Sequence, residues 1–186
     1  NCVRRAPAAG HPRWLNAIVT DIPDARWGND NTLLARGGRA FAATKAGSWT
    51  IRKLMPLDRK IMLRTEGRFT ALGPIGAPTM LLETTGRKTG AKRLSPLLFA
   101  RDGDSIIVVG SNFGQDHHPA WTGNLMANPS GAVIIGGKNI PVTARLLDGE
   151  EAEAAYKKMT DVANVYSVYR GRTARSIRVF RLTPTS

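Results

Sequence analysis

The sequence predicts a mainly β domain with flanking helices, an α+β arrangement of about six antiparallel strands that curl into a small barrel. Three observations carry this. Short apolar runs with β-like composition follow one another across tight turns. Asp102-Gly103 and Gly136-Gly137-Lys138-Asn139 are hairpin signals between such runs. Strict strand–helix–strand alternation is missing, which argues against a doubly wound parallel sheet.

A length of 186 residues suits one domain with an extension. Residues 1–40 are expected to be an N-terminal extension, flexible or not native. Arg, Ala, Gly and Pro are frequent there, and no helical or alternating apolar period persists. Residues 14–19 form an apolar island too short for the centre of a secretory signal. Residues 41–72 read as a basic helical segment. Ile51, Leu54 and Met55, then Ile61 and Met62, form two apolar clusters separated by Pro56 and surrounded by Arg52, Lys53, Arg59, Lys60 and Arg64. The simpler reading is a helix that caps the core and keeps its basic face in water. The second reading rests it on anionic lipid headgroups.

Residues 73–186 carry the strands. Residues 80–85 and 93–101 pair across a basic loop. After the Asp102-Gly103 turn, residues 105–111 form a nearly continuous apolar strand, expected to be buried on both faces. Residues 119–128 read as a short helix, with Pro119 in its first turn and Trp121, Leu125 and Met126 at near-helical spacing. Residues 132–135 and 140–147 make another hairpin. Asp148-Gly149-Glu150-Glu151 opens a helix with acids in its first turn. A further helical piece covers residues 161–169, and residues 177–182 close as a strand.

The net charge is +13. Residues 1–60 hold 11 Lys and Arg against 4 Asp and Glu, and residues 61–186 hold 16 against 10. Such an excess favours anionic partners: nucleic acid, an anionic membrane face or anionic small molecules. Basic residues are not interleaved with aromatics along one segment and no nucleic-acid motif is present, so no nucleic-acid partner is expected. The single cysteine, Cys2, excludes an intrachain disulfide. His117 and His118 are adjacent, with no Cys, Asp or Glu completing a ligand set, so no metal is expected.

The densest signal is the loop after Leu81-Leu82-Glu83-Thr84-Thr85. Gly86-Arg87-Lys88-Thr89-Gly90-Ala91-Lys92-Arg93 places four cations within seven residues. Glycines let a backbone approach a ligand closely, and arginines fork onto phosphate or carboxylate oxygens. It is not a P-loop, and no dinucleotide fingerprint follows a strand. Alone, it is equally a solvated turn. Ser111-Asn112-Phe113-Gly114-Gln115 follows the buried strand, where loops commonly hold ligands, though ordinary loop capping explains it as well. Trp121 is open to two readings, core residue or ligand platform. Tyr166 and Tyr169 share a helix face, which serves core packing or the orientation of a substrate oxygen. No nucleophile elbow is present.

Taken together, these motifs resemble the deazaflavin (F420H2)-dependent nitroreductase and quinone reductase family. The resemblance rests on the residue 82–90 segment, on Arg93, Pro96 and Leu97, and on Arg101-Asp102-Gly103-Asp104. It continues through Val108-Val109-Gly110-Ser111-Asn112, Pro119-Ala120-Trp121, Asn124-Leu125 and Ala127-Asn128-Pro129, in the family's order, from about residue 75 to 184. It implies a split β-barrel like the FMN-binding barrels, with coenzyme F420 as cofactor and FMN as the lesser alternative. Hydride transfer to a quinone, activated enone or nitroaromatic is implied, with binding without turnover as the alternative.

Under this resemblance, Arg87, Lys88 and Arg93 receive the phosphate and tail carboxylates. Thr89, Leu94, Ser95, Pro96 and Leu97 continue the lining. Val109, Gly110, Ser111 and Asn112 run along the ring system. Ala120, Trp121 and Asn124 close the far side, and Tyr166 stands near the reacting face. Catalysis falls to Ser111, Tyr166 and Tyr169, and substrate contact to Leu98, Ser111, Trp121 and Tyr169. The family's best-known member carries lysine at the Asn112 position, so one cofactor cation is expected to be missing here, and tyrosine at those of Leu98 and Thr122, so the acceptor pocket is expected to differ. A small-molecule acceptor, a monomer or homodimer, and a cytoplasmic location with peripheral contact at the inner membrane face complete the expectations.

Overall fold

The computed structural model describes residues 22–23, 26–28, 37–38, 40–41, 44–65, 69 and 75–185. The strands are β1 (Arg26–Gly28), β2 (Ile75–Thr85), β3 (Lys92–Leu98), β4 (Ala100–Asp102), β5 (Ser105–Val109), β6 (Ser130–Ile135), β7 (Lys138–Leu147) and β8 (Val179–Pro184). The helices are α1 (Lys45–Arg64), α2 (Ala120–Ala127), α3 (Gly149–Val162) and α4 (Val165–Arg170). Every pairing is antiparallel, in the order β1-β2-β6-β7-β8-β5-β4, with β3 on β2.

The expected antiparallel curl is present, with eight strands among the described residues rather than about six. One difference arises at Phe99. The run expected as a single strand leaves β2 there and joins β5 as β4, while the Phe99 N–H still donates to Pro78 O at 3.2 Å. That bend lets one stretch of chain serve both ends of the strand order and curls the sheet on itself. The other difference is β1, in a segment with no apolar period. Ile22, nearby, is buried in the main core.

Alternation sorts the apolar side chains into two layers. Met80 and Leu82 of β2, Ile106 and Val108 of β5, Val133 and Ile135 of β6, Ile140 and Val142 of β7, and Phe180 and Leu182 of β8 fill the barrel, plugged by Trp121 and Leu125 of α2. The opposite face of β5, Ile107 and Val109, meets Tyr156 and Met159 of α3. This explains the nearly continuous apolar run: β5 is covered on both sides. The hairpin turns match the sequence signals, with positive φ at Gly103 (60°), Gly136 (55°) and Gly137 (84°).

α1 runs through Pro56 as one helix, capped by Thr44 Oγ1 accepting from the Gly47 N–H at 2.9 Å. It buries Ser48, Asp58 and Met62, and Arg59 Nε donates to Leu94 O of β3 at 3.0 Å. The helical piece expected over residues 161–169 is split. α3 ends at Val162, and α4 starts at Val165.

At Gly131, paired with Thr84, β6 approaches β2 closely. A Cβ there would lie 2.6 Å from Glu83 O, a backbone atom that cannot swing aside. Gly131→Ala should therefore lower stability by about 1–3 kcal/mol through overpacking. Urea denaturation checks this, and an unchanged midpoint contradicts the close approach.

Candidate active site

The basic loop is a tight turn closed by its own backbone. The Gly86 N–H donates to Ala91 O at 2.8 Å, and Gly86 O accepts from the N–H groups of Thr89 (3.1 Å) and Gly90 (2.7 Å). Arg87, Lys88 and Thr89 are thereby pushed into solvent. Lys92 pairs with Glu83 at 2.8 Å. Arg93 has a long contact of 3.4 Å to Thr89 Oγ1. Among the described residues no carboxylate pairs with Arg87, Lys88 or Arg93, so the loop presents uncompensated positive charge.

α2 joins this loop to the other candidate residues. The Arg87 N–H donates to Asn124 Oδ1 at 3.1 Å, and Asn124 Nδ2 donates to Thr84 Oγ1 at 3.0 Å. The Arg87 guanidinium lies against Gly123, where a Cβ would sit 3.0 Å from Nη1. On its other flank α2 meets Gly110, where a Cβ would sit 2.7 Å from Thr122 Cγ2. Thr122 is fully buried. Its hydroxyl donates to Pro119 O at 2.9 Å and accepts from Arg178 Nη1 at 3.1 Å. Trp121 packs into the barrel with its ring 5.8 Å from Phe180, which is the core reading of this residue. Ala120 is exposed at the start of the helix.

The turn after β5 carries Ser111, which is buried, and Asn112, which is half-buried. Asn112 and Phe113 both have left-handed backbones, with φ of 49° and 58°. Asparagine tolerates this, whereas for phenylalanine it costs about 1–2 kcal/mol. Neighbours hold the conformation. Asn112 Nδ2 donates to His117 O at 3.0 Å, and the Phe113 ring meets Tyr169 edge-on at 5.6 Å. Arg175 reaches the same turn with three nitrogens: Nε to Gln115 O at 2.8 Å, Nη1 to His118 Nδ1 at 3.0 Å, and Nη2 to Gly110 O at 3.0 Å and Ser111 O at 2.7 Å.

Tyr166 and Tyr169 do share a face of α4, with ring centroids 6.1 Å apart. Tyr166 sits in the second apolar layer, and its carbonyl accepts from Tyr156 Oη at 2.7 Å. Burial raises the Tyr166 phenol well above the usual range and pushes Tyr156 up to about 12. Both therefore stay protonated near neutral pH and can act only as O–H donors or acceptors. Leu97 packs on the barrel core and Leu98 on the outer apolar layer. Leu94, Ser95 and Pro96 are half-buried along β3.

The structure thus gathers the loop cations, the α2 residues, the Ser111 turn and the tyrosine helix around one end of the barrel. Thr122, marked in the sequence only by the tyrosine of the family's best-known member, joins these contacts, and so do Arg175, Arg178 and Gly123, for which the sequence carries no signal. Arg175 and Arg178 lie in or next to the irregular link between α4 and β8, where no spacing signals a role. The donor set suits a ligand with a polyanionic arm: among the described residues three cations stand without carboxylate partners at the mouth, while the missing Cβ atoms of Gly123 and Gly110 let Arg87 and Thr122 pack closely there. Among the described residues no cluster of three or more His, Cys, Asp or Glu forms.

Comparison with known proteins agrees with this chemistry. A family model described as F420H(2)-dependent quinone reductase matches residues 54–184. An F420H(2)-dependent quinone reductase of Mycobacterium tuberculosis (strain ATCC 25618 / H37Rv) is 36% identical over 136 residues, covering 70% of this chain and 90% of the relative. A solved F420-H2 dependent reductase (FDR-A) superposes with a TM-score of 0.53 at 39% identity, covering 56% of this chain and 93% of its own. A solved domain-swapped dimer superposes with a TM-score of 0.55 at 33% identity, covering 73% and 97%.

His118 offers a pH test. Burial, then the nearby Arg178 and Arg175, lower its pKa below the usual 6.5. The native state therefore binds fewer protons than the unfolded chain between the two values. The resulting stability is complete above 6.5 and declines as pH falls toward the lowered folded value. Imidazole NMR should show His118 neutral, with its proton on Nε2, throughout the neutral range. A titration midpoint above 6.5 contradicts the Arg175 contact.

Proposed function

The chain belongs to the F420H(2)-dependent quinone reductase family, and from that premise we propose that it transfers a hydride from reduced coenzyme F420 to an electron-poor small molecule, a quinone above all. It is an oxidoreductase on a split β-barrel, and F420 is its cofactor. Family membership favours F420 over FMN, and turnover over binding alone. The single observation in the structure that best supports this reading is the uncompensated charge of Arg87, Lys88 and Arg93 beside α2.

When bound, reduced F420 supplies the hydride. Arg87, Lys88 and Arg93 take the phosphate and tail carboxylates by charge-assisted hydrogen bonds. Thr89 and residues 94–97 line the groove beyond them. Val109, Gly110, Ser111 and Asn112 border the ring, and Ala120, Trp121 and Asn124 close the opposite side, Trp121 chiefly by filling the core beneath it. Ser111 donates to a substrate oxygen as negative charge develops there. Tyr166 and Tyr169 orient the acceptor, and burial keeps the Tyr166 proton in place. Leu98 and Tyr169 contribute to acceptor choice. Thr122 already spends its hydroxyl on Pro119 and Arg178, which supports an acceptor range different from that of relatives with tyrosine there.

Residues 73–186 are the cofactor-binding domain in this reading, residues 41–72 a basic helical segment and residues 1–40 an extension, of which Ile22 and β1 pack on the barrel. α1 exposes Trp49, Leu54, Leu57 and Leu63 beside Lys53, Lys60 and Arg64, which supports peripheral contact with an anionic membrane at its cytoplasmic face. No described helix is long and apolar enough to cross a membrane. The domain-swapped relative supports a homodimer as the assembly.

Fluorescence titration tests the cofactor assignment. Changing Arg87 and Lys88 together to alanine should weaken F420 binding about tenfold to a hundredfold, as expected for loss of charged hydrogen bonds. The wild-type affinity should fall as salt rises. A change within twofold would remove the anion cradle. Flotation tests the membrane contact: the protein should rise with phosphatidylglycerol vesicles at low salt, and the Trp49→Ala, Leu57→Ala variant should not. Wild-type protein left at the bottom of the gradient contradicts it.

A further inference from the structure

We propose that Arg175 is a positioning residue for the reduction, holding the turn of residues 110–118 in the conformation that presents Ser111 and Asn112 to the site. The proposal rests on the reading that this turn borders the cofactor ring.

The contact pattern carries the inference. One guanidinium reaches acceptors on both sides of the turn: the carbonyls of Gly110 and Ser111 where the chain leaves β5, and Gln115 O and His118 Nδ1 where it heads for α2. All four acceptors are neutral, so this is not an ion pair made for surface charge. It is a fixed fork of donors set into a backbone concavity, a task for which arginine's planar geometry is suited and lysine's single ammonium is not.

The turn needs such a clamp. Its two successive left-handed residues, Asn112 and Phe113, are not glycines. Strained backbone persists where surrounding contacts over-determine it. The bond to Ser111 O fixes the peptide plane that links Ser111 to Asn112. Gly114 closes the other side tightly, because a Cβ there would lie 2.6 Å from Arg172 Cβ and 2.8 Å from Tyr169 O. Arg175 follows α4 in the chain, so the clamp also ties the Ser111 turn to the helix that carries Tyr166 and Tyr169. The contact bears on the chemistry because misplacing a reacting group by about 1 Å costs on the order of a hundredfold in rate.

The test compares full-length wild type with Arg175→Lys, Arg175→Ala and Ser111→Ala. Amide hydrogen exchange is read without cofactor, F420 affinity by fluorescence, and turnover with F420H2 and a water-soluble benzoquinone. In Arg175→Lys the amides of residues 112–115 should exchange at least about tenfold faster, as for a locally opened turn. Its kcat should fall about tenfold to a hundredfold, while F420 affinity and the quinone KM stay within about threefold, since the tail grip is untouched and Ser111 acts on charge that develops only in the transition state. Added methylguanidinium should restore part of the kcat of Arg175→Ala and none of that of Arg175→Lys.

Wild-type exchange and wild-type kcat in Arg175→Lys overturn the proposal, as does accelerated exchange with unchanged kcat. If Arg175→Ala does not fold, the lysine variant decides. Full activity in Ser111→Ala sinks the donor role assigned to Ser111, whereas the exchange result reports on the clamp independently of that role.

Discussion

The side-chain amide of Asn124 fixes how the site is put together. It is buried, so both of its ends must be hydrogen-bonded. Its oxygen takes the backbone N–H of Arg87 and its nitrogen gives to Thr84 Oγ1. That pair of bonds locks α2 against the mouth of the β2–β3 hairpin. Once α2 is there, Trp121 and Leu125 plug the barrel, Gly123 lies under the Arg87 guanidinium, and Thr122 abuts Gly110 at the end of β5. The basic loop and the Ser111 turn, joined in sequence through β3, β4 and β5, become neighbours of one short helix.

Charge distribution separates the site from the rest of the surface. Around α3 the cations are matched: Arg145 and Arg181 to Glu151, Arg181 and Lys158 to Asp102, Arg170 to Glu153, and Lys157 to Asp161. The carboxyls of Asp102, Glu151 and Glu153 are held below their usual range chiefly by these hydrogen bonds. Exposed pairs of this kind add little stability singly. Their significance is contrast: Arg87 and Lys88 have no such carboxylate among the described residues, so the field at the barrel mouth stays positive. A ligand with several negative charges is the natural complement.

Much of this was legible in the chain. The hairpin glycines, the doubly buried β5 run and the crowded cations of the loop each announce themselves by local composition, because turn chemistry and alternation act over a few residues. What the sequence did not signal depends on distant partners. The break at Phe99 lies in a change of partner strand, from Thr79 beside Leu98 to Ile107 beside Ala100. Ile22 is one apolar residue in an aperiodic stretch, yet it reaches the core. Trp121 was open between core and platform until Phe180 was beside it. Arg175 stands in no recognisable pattern, and its role exists only because four acceptors converge on it.

The most direct measurement is a crystal structure of the protein grown with F420. The acidic tail should lie within hydrogen-bonding distance of the Arg87 and Lys88 side chains beside α2, and the ring system along residues 109–112. A tail bound on another face, with the turn at Gly86 left in solvent, or a ring that finds no room between Gly110 and the tyrosine helix, would contradict it.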